Sequence, residues 1–280
     1  MKYGFILEGG DIPLLPEIAA EAEAAGWDGL FIADAMAIGG GKYPDFPWFD
    51  PWAVLGAMAM RTRRIRLGTL ITPVSRRRPW KLARETVTID HLSKGRLIFG
   101  VGLGAAADDG GFFKVGEATD LRVRAELLDE GLEIISGLWK GKPLTFSGGH
   151  YKVQKMSMLP TPVQKPRIPV WVVGVWPREK SMQRALRWDG IIPQKYKATP
   201  MDRATPSDIL AIKTYVEKHR SKKTPFDIIA GGQTSGGKRN RALEVVRPFE
   251  DAGATWWLES VWGAMEKVRK RIKQGPPGTE

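Results

Sequence analysis

The stretch that decides the fold is RIRLGTLITPVSRRRPWKLARETVTIDHLSKGRLIFGVG, residues 64–102. Its first eight residues are rich in apolar and β-branched side chains and predict a buried strand, which is broken off at Pro73. Pro79 suits the first turn of a helix and Gly95 suits its end. The last seven residues predict a second buried strand. A strand, a crossover helix and a strand joined by short connections indicate a parallel βαβ unit.

The same alternation continues on both sides of this unit and gives eight strand–helix pairs within 280 residues. The strands are nearly continuous apolar runs, as expected where both faces of a sheet are covered by helices. Eight such pairs most simply close into a (β/α)8, or TIM, barrel that forms a single domain over residues 1–280. An open, doubly wound sheet is the structural alternative. Residues 141–168 are rich in Pro and Gly and predict a hairpin and an extended linker inserted after the fourth helix.

Composition limits the class of protein. The chain is 42% hydrophobic, enough for a full core, and it lacks cysteine, which excludes disulfides and thiolate metal sites. No apolar run approaches the roughly 20 residues that span a bilayer, and the first residues predict a strand rather than a signal peptide. We therefore expect a cytoplasmic protein with no membrane partner. The formal charge of +12 suits an anionic partner, but the basic residues are scattered along the chain, so nucleic-acid binding is only an alternative.

The loop after the fourth predicted strand superficially fits a dinucleotide-binding fingerprint, since it contains Gly102-x-Gly104-x-x-Ala107. That fingerprint requires a helix that begins at once and points its N-terminus at the pyrophosphate. Here the next helix is predicted only from about Leu121. A dinucleotide site is therefore a minor alternative.

The loop after the seventh predicted strand nearly matches a nucleotide-binding P-loop over Gly232 to Lys238. Arg239 follows where a Ser or Thr would hold magnesium, so nucleotide hydrolysis is not expected. The small residues still allow backbone N–H groups to surround an anion at a helix N-terminus, with Lys238 or Arg239 nearby. The loops after the last two strands are the usual phosphate site of such barrels. A flexible polar turn is the alternative interpretation.

Aromatic residues concentrate near predicted strand ends and loops, where they could line an apolar cup for a flat ring system. Core packing is the default for each of them. The candidates are Trp48, Phe49, Trp52, Trp176, Trp256 and Trp257, of which we assign Trp48, Phe49 and Trp257 to the substrate pocket.

Four acidic residues lie at predicted strand ends and could act as a general acid or base: Asp34, Asp108, Asp109 and Glu259. Caps and salt bridges are the commoner use of such residues, and we retain Asp34 and Glu259 as the catalytic candidates. The three histidines share no metal-ligand spacing, and no serine-nucleophile motif is present, so we expect no metal. A barrel without a strong side-chain catalyst indicates that a cofactor carries the chemistry.

Several segments resemble the luciferase-like monooxygenase family in register and in order over about residues 3–195. They are FDPW, the opening stretch extended to Gly104, RAELLDEGLEIISGLWKG, GGHYKV, PTPVQKPRIPVWVVG and RALRWDGIIP. The resemblance implies a (β/α)8 barrel with an insertion after the fourth helix. It also implies that FMN, or 8-hydroxy-5-deazaflavin (coenzyme F420), binds at the strand ends.

The resemblance assigns cofactor-binding residues position by position. A non-prolyl cis peptide is expected at Leu70-Ile71, behind the cofactor ring. The cofactor-binding residues implied at the ends of the third, fourth, fifth and seventh strands are Leu70, Ile71, Gly102, Leu103, Gly104, Val173, Gly174, Val175, Trp176, Gly231, Gly232, Gln233 and Thr234. Arg76, Arg77 and Arg78 are expected on the cofactor-facing side, near the substrate entrance or a subunit contact.

The resemblance predicts a flavin-dependent oxidoreductase that acts on an apolar small molecule. Reduced FMN from a separate flavin reductase would act with O2, whereas the deazaflavin would transfer a hydride. Sugar-phosphate dehydrogenases of the family carry a histidine where this chain has Ala35 and a glutamate where it has Ala105, which puts that reaction in doubt. We expect a homodimer formed through the helices that start near Asp50 and Pro79.

Two alternatives from other classes remain open. The first is a TIM-barrel enzyme that acts on a phosphorylated metabolite without flavin, with Asp34 or Glu259 as the base. The second is a non-enzymatic nucleic-acid binder that uses the scattered cations, for which affinity would fall steeply with salt.

Overall fold

The computed structural model describes residues 1–7, 10–36, 48–104, 111–197 and 202–277. In chain order its strands are β1 (Lys2–Leu7), β2 (Gly29–Ile32), β3 (Arg66–Pro73), β4 (Leu97–Gly102), β5 (Leu144–Ser147), β6 (Lys152–Met156), β7 (Val170–Trp176), β8 (Gly190–Lys195), β9 (Asp227–Gly232) and β10 (Trp256–Ser260). Eight of them form a closed parallel barrel in the order β1-β10-β9-β8-β7-β4-β3-β2. The predicted TIM barrel is confirmed, and the open sheet is excluded because β1 pairs with both β2 and β10.

Eight helices surround the barrel. They are α1 (Leu15–Ala24), α2 (Pro51–Arg61), α3 (Pro79–Leu92), α4 (Leu121–Leu138), α5 (Glu179–Leu186), α6 (Pro206–His219), α7 (Arg239–Asp251) and α8 (Met265–Lys273). Their starts follow local chemistry. Pro occupies the first turn of α2, α3 and α6, where no N–H is needed. The Asp50 and Asp120 carboxylates accept backbone N–H groups at the starts of α2 and α4.

The segment predicted as an insertion, residues 141–168, contains the antiparallel hairpin β5–β6. The hairpin turn is held on α4 by Glu130, whose carboxylate accepts the backbone N–H groups of Gly149, His150 and Tyr151 at 2.7, 3.0 and 3.0 Å. The insertion is therefore anchored to the outer helical layer, outside the barrel wall.

The amino-terminal half of the barrel interior is filled by an aromatic plug of Phe31, Trp171 and Trp256. Their ring centroids lie 5.2 to 5.9 Å apart, and all three side chains are buried. Gly29 and Gly190 make room for these rings, because an added Cβ would lie 2.9 Å from Trp256 and 2.6 Å from Trp171. Trp256 is thus a core residue, and a ligand can enter the barrel only from its carboxyl end.

Candidate cofactor site at the carboxyl ends of the strands

An apolar cup lies above the aromatic plug. Side chains of a strand alternate between its two faces, so the next inward positions are Ile6, Leu70, Val173 and Ile192. Three of them pack on the plug cluster, and all four are only half-buried. Among the described residues, the upper half of the barrel is therefore lined by partly exposed aliphatic groups, as a site for a flat apolar ring requires.

The ends of β3, β4 and β7 meet on one side of this cup. The peptide bond between Leu70 and Ile71 is cis, as the family resemblance implies, and the β3–β4 register shifts between Thr69 and Thr72. A Cβ added at Gly102 would lie 2.9 Å from Val173 Cγ2 and 3.1 Å from Ile71 Cδ1. Gly102 is buried between the two side chains, and a larger residue there would have to displace them.

Leu103 and Gly104, the first two residues after β4, are held by two contacts. Gly104 has a left-handed φ of +77°, and an added Cβ would lie 2.9 Å from the ring of Pro73 at the end of β3. From α4, Arg124 Nη1 donates to the carbonyl oxygens of Leu103 and Gly104 at 2.9 and 3.2 Å. No sequence pattern indicated this role for Arg124, because arginine in a first helical turn is normally solvent-exposed.

The predicted residues of β7 divide between the two faces of the strand. Val173 and Val175 alternate with the outward Gly174, where an added Cβ would lie 2.4 Å from Ile191 Cδ1. Trp176 is half-buried at the strand end and packs edge-on against Tyr215 of α6, with ring centroids 5.8 Å apart. Only the two valines therefore point toward the cup.

Glu259 lies on the outer face of β10, because it alternates with the inward-facing Leu258. Its carboxylate accepts the Thr234 backbone N–H at 2.6 Å, the Thr234 hydroxyl at 2.8 Å and the Trp257 indole N–H at 3.1 Å. Arg271 Nη2 of α8 lies 3.5 Å from Glu259 Oε2 and donates to Thr234 Oγ1 at 2.9 Å. Burial lowers the pKa of Arg271, against the opposing effect of Glu259. The cluster ties the loop after β9 to α8 and does not face the cup.

The predicted acid–base role of Glu259 stays a prediction. Its side chain has no exposed surface and its oxygens are engaged by the contacts above, so the geometry favours a part in holding the loop. Gly231 is inward-facing, and an added Cβ would lie 3.0 Å from Arg203 Nη1. Gly232 instead faces Trp257, Gln233 is exposed and Thr234 is buried, so of this predicted group only Gly231 borders the cup.

Arg203 is the cation that the structure places at the ends of β9 and β10. It is half-buried and hydrogen-bonds to Ser260 Oγ. Burial lowers the pKa of Arg203, and the Glu259 carboxylate opposes that effect. Lys238 and Arg239, the cations predicted for an anion in this region, are exposed at the start of α7. Arg203 was missed because the polar loop that carries it has no local motif.

Asp34 follows β2 and is buried in a cluster with two of the three arginines of the opening stretch. Arg77 donates to its two carboxylate oxygens at 2.9 and 2.8 Å, and Arg76 donates to the carboxylate and, at 2.8 Å, to the Asp34 carbonyl. Arg77 also reaches Asp50 at 3.1 Å. Burial lowers the pKa of Arg76, despite the opposing effect of Asp34. For Arg77, burial is outweighed by hydrogen bonds and charges of the two aspartates, and its pKa is raised.

This cluster explains the positive charge beyond β3. Arg76 and Arg77 join the segment after β3 to the end of β2, and two aspartates balance their two charges. Arg78 is exposed just before α3. The acid–base role predicted for Asp34 stays a prediction, and the contacts favour a part in joining the two strand ends.

The three residues predicted for the substrate pocket do not come together. Trp257 lies on the outer face of β10 and packs against Phe249 of α7, with ring centroids 5.2 Å apart. Phe49 lines a cavity of about 170 Å³ between α1 and α2, and Trp48 precedes it. Trp52 also faces outward, against Phe99. The physical reason is the two-residue alternation of a strand, which sends Trp256 inward and Trp257 outward.

Some predicted features lie outside the described residues, namely Asp108, Asp109 and Ala105. In the part of the chain that the structure covers, no group of three metal-ligating side chains converges. None of the helices in those same ranges has the length and apolar character needed to cross a bilayer.

Fold and site together define a TIM-barrel protein with an aliphatic, glycine-edged cup at the carboxyl ends of its strands. The sequence profile of the luciferase-like monooxygenase family matches residues 6–250. The chain belongs to this family, which confirms the resemblance found in the sequence, and it is an enzyme of the oxidoreductase type.

Individual relatives agree with this assignment. The chain is 28% identical over 240 residues to an F420-dependent glucose-6-phosphate dehydrogenase of Nakamurella multipartita, a match that covers 83% of this chain and 67% of that protein. It is 30% identical over 271 residues to an uncharacterized protein of Mycobacterium tuberculosis, covering 91% and 88%.

Two solved structures share the fold. An F420-dependent secondary alcohol dehydrogenase in complex with an F420–acetone adduct superposes with a TM-score of 0.76 at 19% identity, over 99% of this chain and 98% of that one. The monooxygenase RslO1 from Streptomyces bottropensis superposes with a TM-score of 0.73 at 20% identity, over 98% and 97%. At these identities the likeness is one of fold.

Proposed function

We propose that the protein is an F420-dependent oxidoreductase that transfers a hydride between the deazaflavin and a small-molecule substrate. The observation that carries the proposal is the apolar cup, in which Gly102 lets Ile71 and Val173 pack close together. The aliphatic side chains of Leu70 and Ile192 complete a surface suited to one face of a planar ring.

The residues present fit such a group. At Gly102 an added Cβ would come within 3.1 Å of two neighbouring side chains, so only glycine keeps this part of the wall flat. Leu70, Ile71, Gly102 and Val173 would bind and orient the ring. Because the plug closes the barrel below them, these residues would also exclude water from the ring's buried face.

The choice of deazaflavin over FMN is supported by the name of the Nakamurella relative, an F420-dependent enzyme. The net charge of +12 is also compatible with an anionic cofactor tail. When bound, a deazaflavin accepts or donates a hydride and reacts poorly with oxygen. FMN would require O2 and a separate reductase.

For the substrate, we propose a small molecule whose reacting part is apolar, since the lining of the cup is aliphatic. Ala35 beside Asp34 is the departure from the sugar-phosphate dehydrogenases that argues against glucose 6-phosphate. A phosphorylated substrate is the second candidate. It is favoured by Arg203, a half-buried cation at the ends of β9 and β10, where barrels of this kind usually bind phosphate.

We further propose that the protein is a homodimer that associates through α2 and α3. Large apolar side chains are exposed on both helices: Met60 is 71% exposed on α2, and Leu92 is 39% exposed on α3. Light scattering coupled to gel filtration would report one or two subunits directly.

The cofactor proposal is tested by titrating the purified protein with F420 and, separately, with FMN, and following the absorbance and fluorescence of each. We expect saturable F420 binding that is at least about tenfold tighter than FMN binding. One strong interaction can supply that difference in binding free energy. Tighter FMN binding would reverse the choice of cofactor. Failure to bind either would overturn the proposed function.

A further inference from the structure

Arg124 is notable because it is completely buried and has no carboxylate partner among the described residues. Its side chain is 0% exposed, and no ion pair with an acidic residue forms within the described part of the chain. Nη1 holds the Leu103 and Gly104 carbonyl oxygens, whereas Nε and Nη2 are buried with no hydrogen-bond partner. Phe112 lies beneath the guanidinium, its ring centroid 5.7 Å away.

Such an arrangement is costly. A buried charge without a counter-charge loses its hydration, and a well-packed apolar side chain of similar volume is often the more stable choice. Burial lowers the pKa of Arg124, and the charge of Asp120 at the start of α4 opposes it. Fold stability therefore explains an arginine at this position less well than a specific role in the local structure does.

The contacts of Arg124 connect α4 to the edge of the cup. The carbonyl oxygens that it holds belong to the two residues after Gly102, the glycine between Ile71 and Val173. Gly104 in turn packs on Pro73, which ends the strand containing the Leu70–Ile71 peptide. Arg124 thus fixes the path of the loop after β4 where it forms the edge of the cup.

Arg76 and Arg271, which also lie at this end of the barrel, are different. Arg76 is paired with Asp34, and Arg271 lies 3.5 Å from Glu259, so each has a carboxylate beside it. Among the described residues, Arg124 has no such carboxylate. Its charge lies in buried surroundings of low polarity, where a charge is felt more strongly than in water.

We propose that Arg124 is a positioning residue of the cofactor site. It holds the Leu103 and Gly104 carbonyl oxygens, and its positive charge, which has no ion-pair partner among the described residues, favours the reduced, anionic form of the bound ring over the oxidised form. Two electrons and one proton added to the ring leave one extra negative charge, which this cation stabilises. The inference rests on the proposed function, because it requires a flavin or deazaflavin in the cup.

The test compares Arg124→Met and Arg124→Lys with the wild-type protein. Arg122→Met is the matched control, since Arg122 lies on the same helix but its side chain is 87% exposed and pairs only with Glu126. Three quantities are measured: the affinity for F420 and FMN, the midpoint potential of the bound cofactor, and hydrogen exchange of the Leu103 and Gly104 amides without cofactor.

We expect Arg124→Met to weaken cofactor binding about tenfold, equivalent to one charge-assisted hydrogen bond. It should also make the bound potential more negative and speed exchange at the two amides. Arg124→Lys should keep most of the potential but lose affinity, because an ammonium cannot reproduce the planar guanidinium contact. Arg122→Met should match the wild type. A purely structural arginine would alter stability and leave the potential unchanged.

The outcomes separate the two proposals. If the wild-type protein binds no cofactor, the proposed function fails and the inference fails with it. If it binds, and Arg124→Met shows unchanged affinity and potential, only the inference is overturned. If Arg124→Met does not fold, the Arg124→Lys variant decides: a loss of affinity with a preserved potential supports the inference, and wild-type affinity contradicts it.

Discussion

Thr234 donates both its backbone N–H and its hydroxyl to the carboxylate of Glu259, at 2.6 and 2.8 Å. This pair joins the loop after β9 to the end of β10, and Arg271 and the Trp257 indole complete the cluster. A residue predicted as a catalytic base thereby serves as the acceptor that organises a loop.

Replacing Glu259 with Gln should destabilise the protein by about 3 kcal/mol, because Arg271 loses its buried counter-charge. The NH2 group of the new glutamine would also face N–H donors of Thr234 or Trp257, from which it cannot accept a hydrogen bond. Urea denaturation followed by circular dichroism measures the change. Glu217→Gln is the control, since Glu217 is exposed and pairs only loosely with Lys213 at 3.9 Å. A Glu259→Gln variant of unchanged stability that lost only activity would instead support the acid–base role.

Asp34→Asn should cost about 3–5 kcal/mol of unfolding free energy, since it leaves Arg76 and Arg77 without their buried partner. Asp129→Asn provides a matched comparison: Asp129 also pairs with two arginines, but it is 33% exposed, whereas the Asp34 side chain has no exposed surface. The Asp129 substitution should cost about 1 kcal/mol or less, because water screens that pair. Equal losses from thermal or urea unfolding would contradict the account of Asp34.

The lowered pKa of Glu23 predicts a specific loss of stability in acid. Burial alone would raise its pKa, but the backbone N–H groups of Ile65, Arg64 and Arg63 donate to its carboxylate and hold the pKa below its ordinary value. Its contribution is fully present above the ordinary pKa of a glutamate and is lost as pH falls through the lower pKa of the folded state.

Unfolding free energies measured from neutral pH down to pH 3 test this expectation. The wild-type protein should lose more stability across the acid range than Glu23→Gln, and the two curves should converge at the acid end. Parallel curves would show that the pKa of Glu23 does not change on folding.

Gly102 should not tolerate a larger side chain in a functional protein. Gly102→Val should lower cofactor affinity by more than about tenfold, because the added groups clash with Ile71 and Val173 and displace them from the wall of the cup. Gly56→Ala in α2 is the control, since its added Cβ would have its nearest neighbour at 3.6 Å. Calorimetric titration of both variants measures the effect, and unaltered binding by a folded Gly102→Val protein would place the ring elsewhere.

Much of the fold could be predicted because it depends on local patterns. The alternation of apolar strands with capped helices indicated the barrel, and the strand break at Pro73 located the end of β3. The site was harder to predict, because inward and outward positions differ by one residue. That single step separates Trp256 in the plug from Trp257 in the outer layer, and Gly231 from Gly232.

Contacts between residues that are distant in the sequence could not be predicted, for a different reason. Arg76 and Arg77 contact Asp34, which is more than forty residues away in the sequence. Glu259 lies beside Arg271 of the next helix. Arg124 donates to the carbonyl oxygens of Leu103 and Gly104. No local signal marks these partners, since each pairing depends on how the closed barrel brings strand ends together.

A crystal structure of the protein with F420 bound tests the central claim most directly. We predict that the deazaflavin ring lies in the cup, with one face against the Leu70–Ile71 peptide and its edge beside Gly102 and Val173. A ring bound outside the barrel, or a cup that stays filled by its own side chains at saturating F420, would contradict the account.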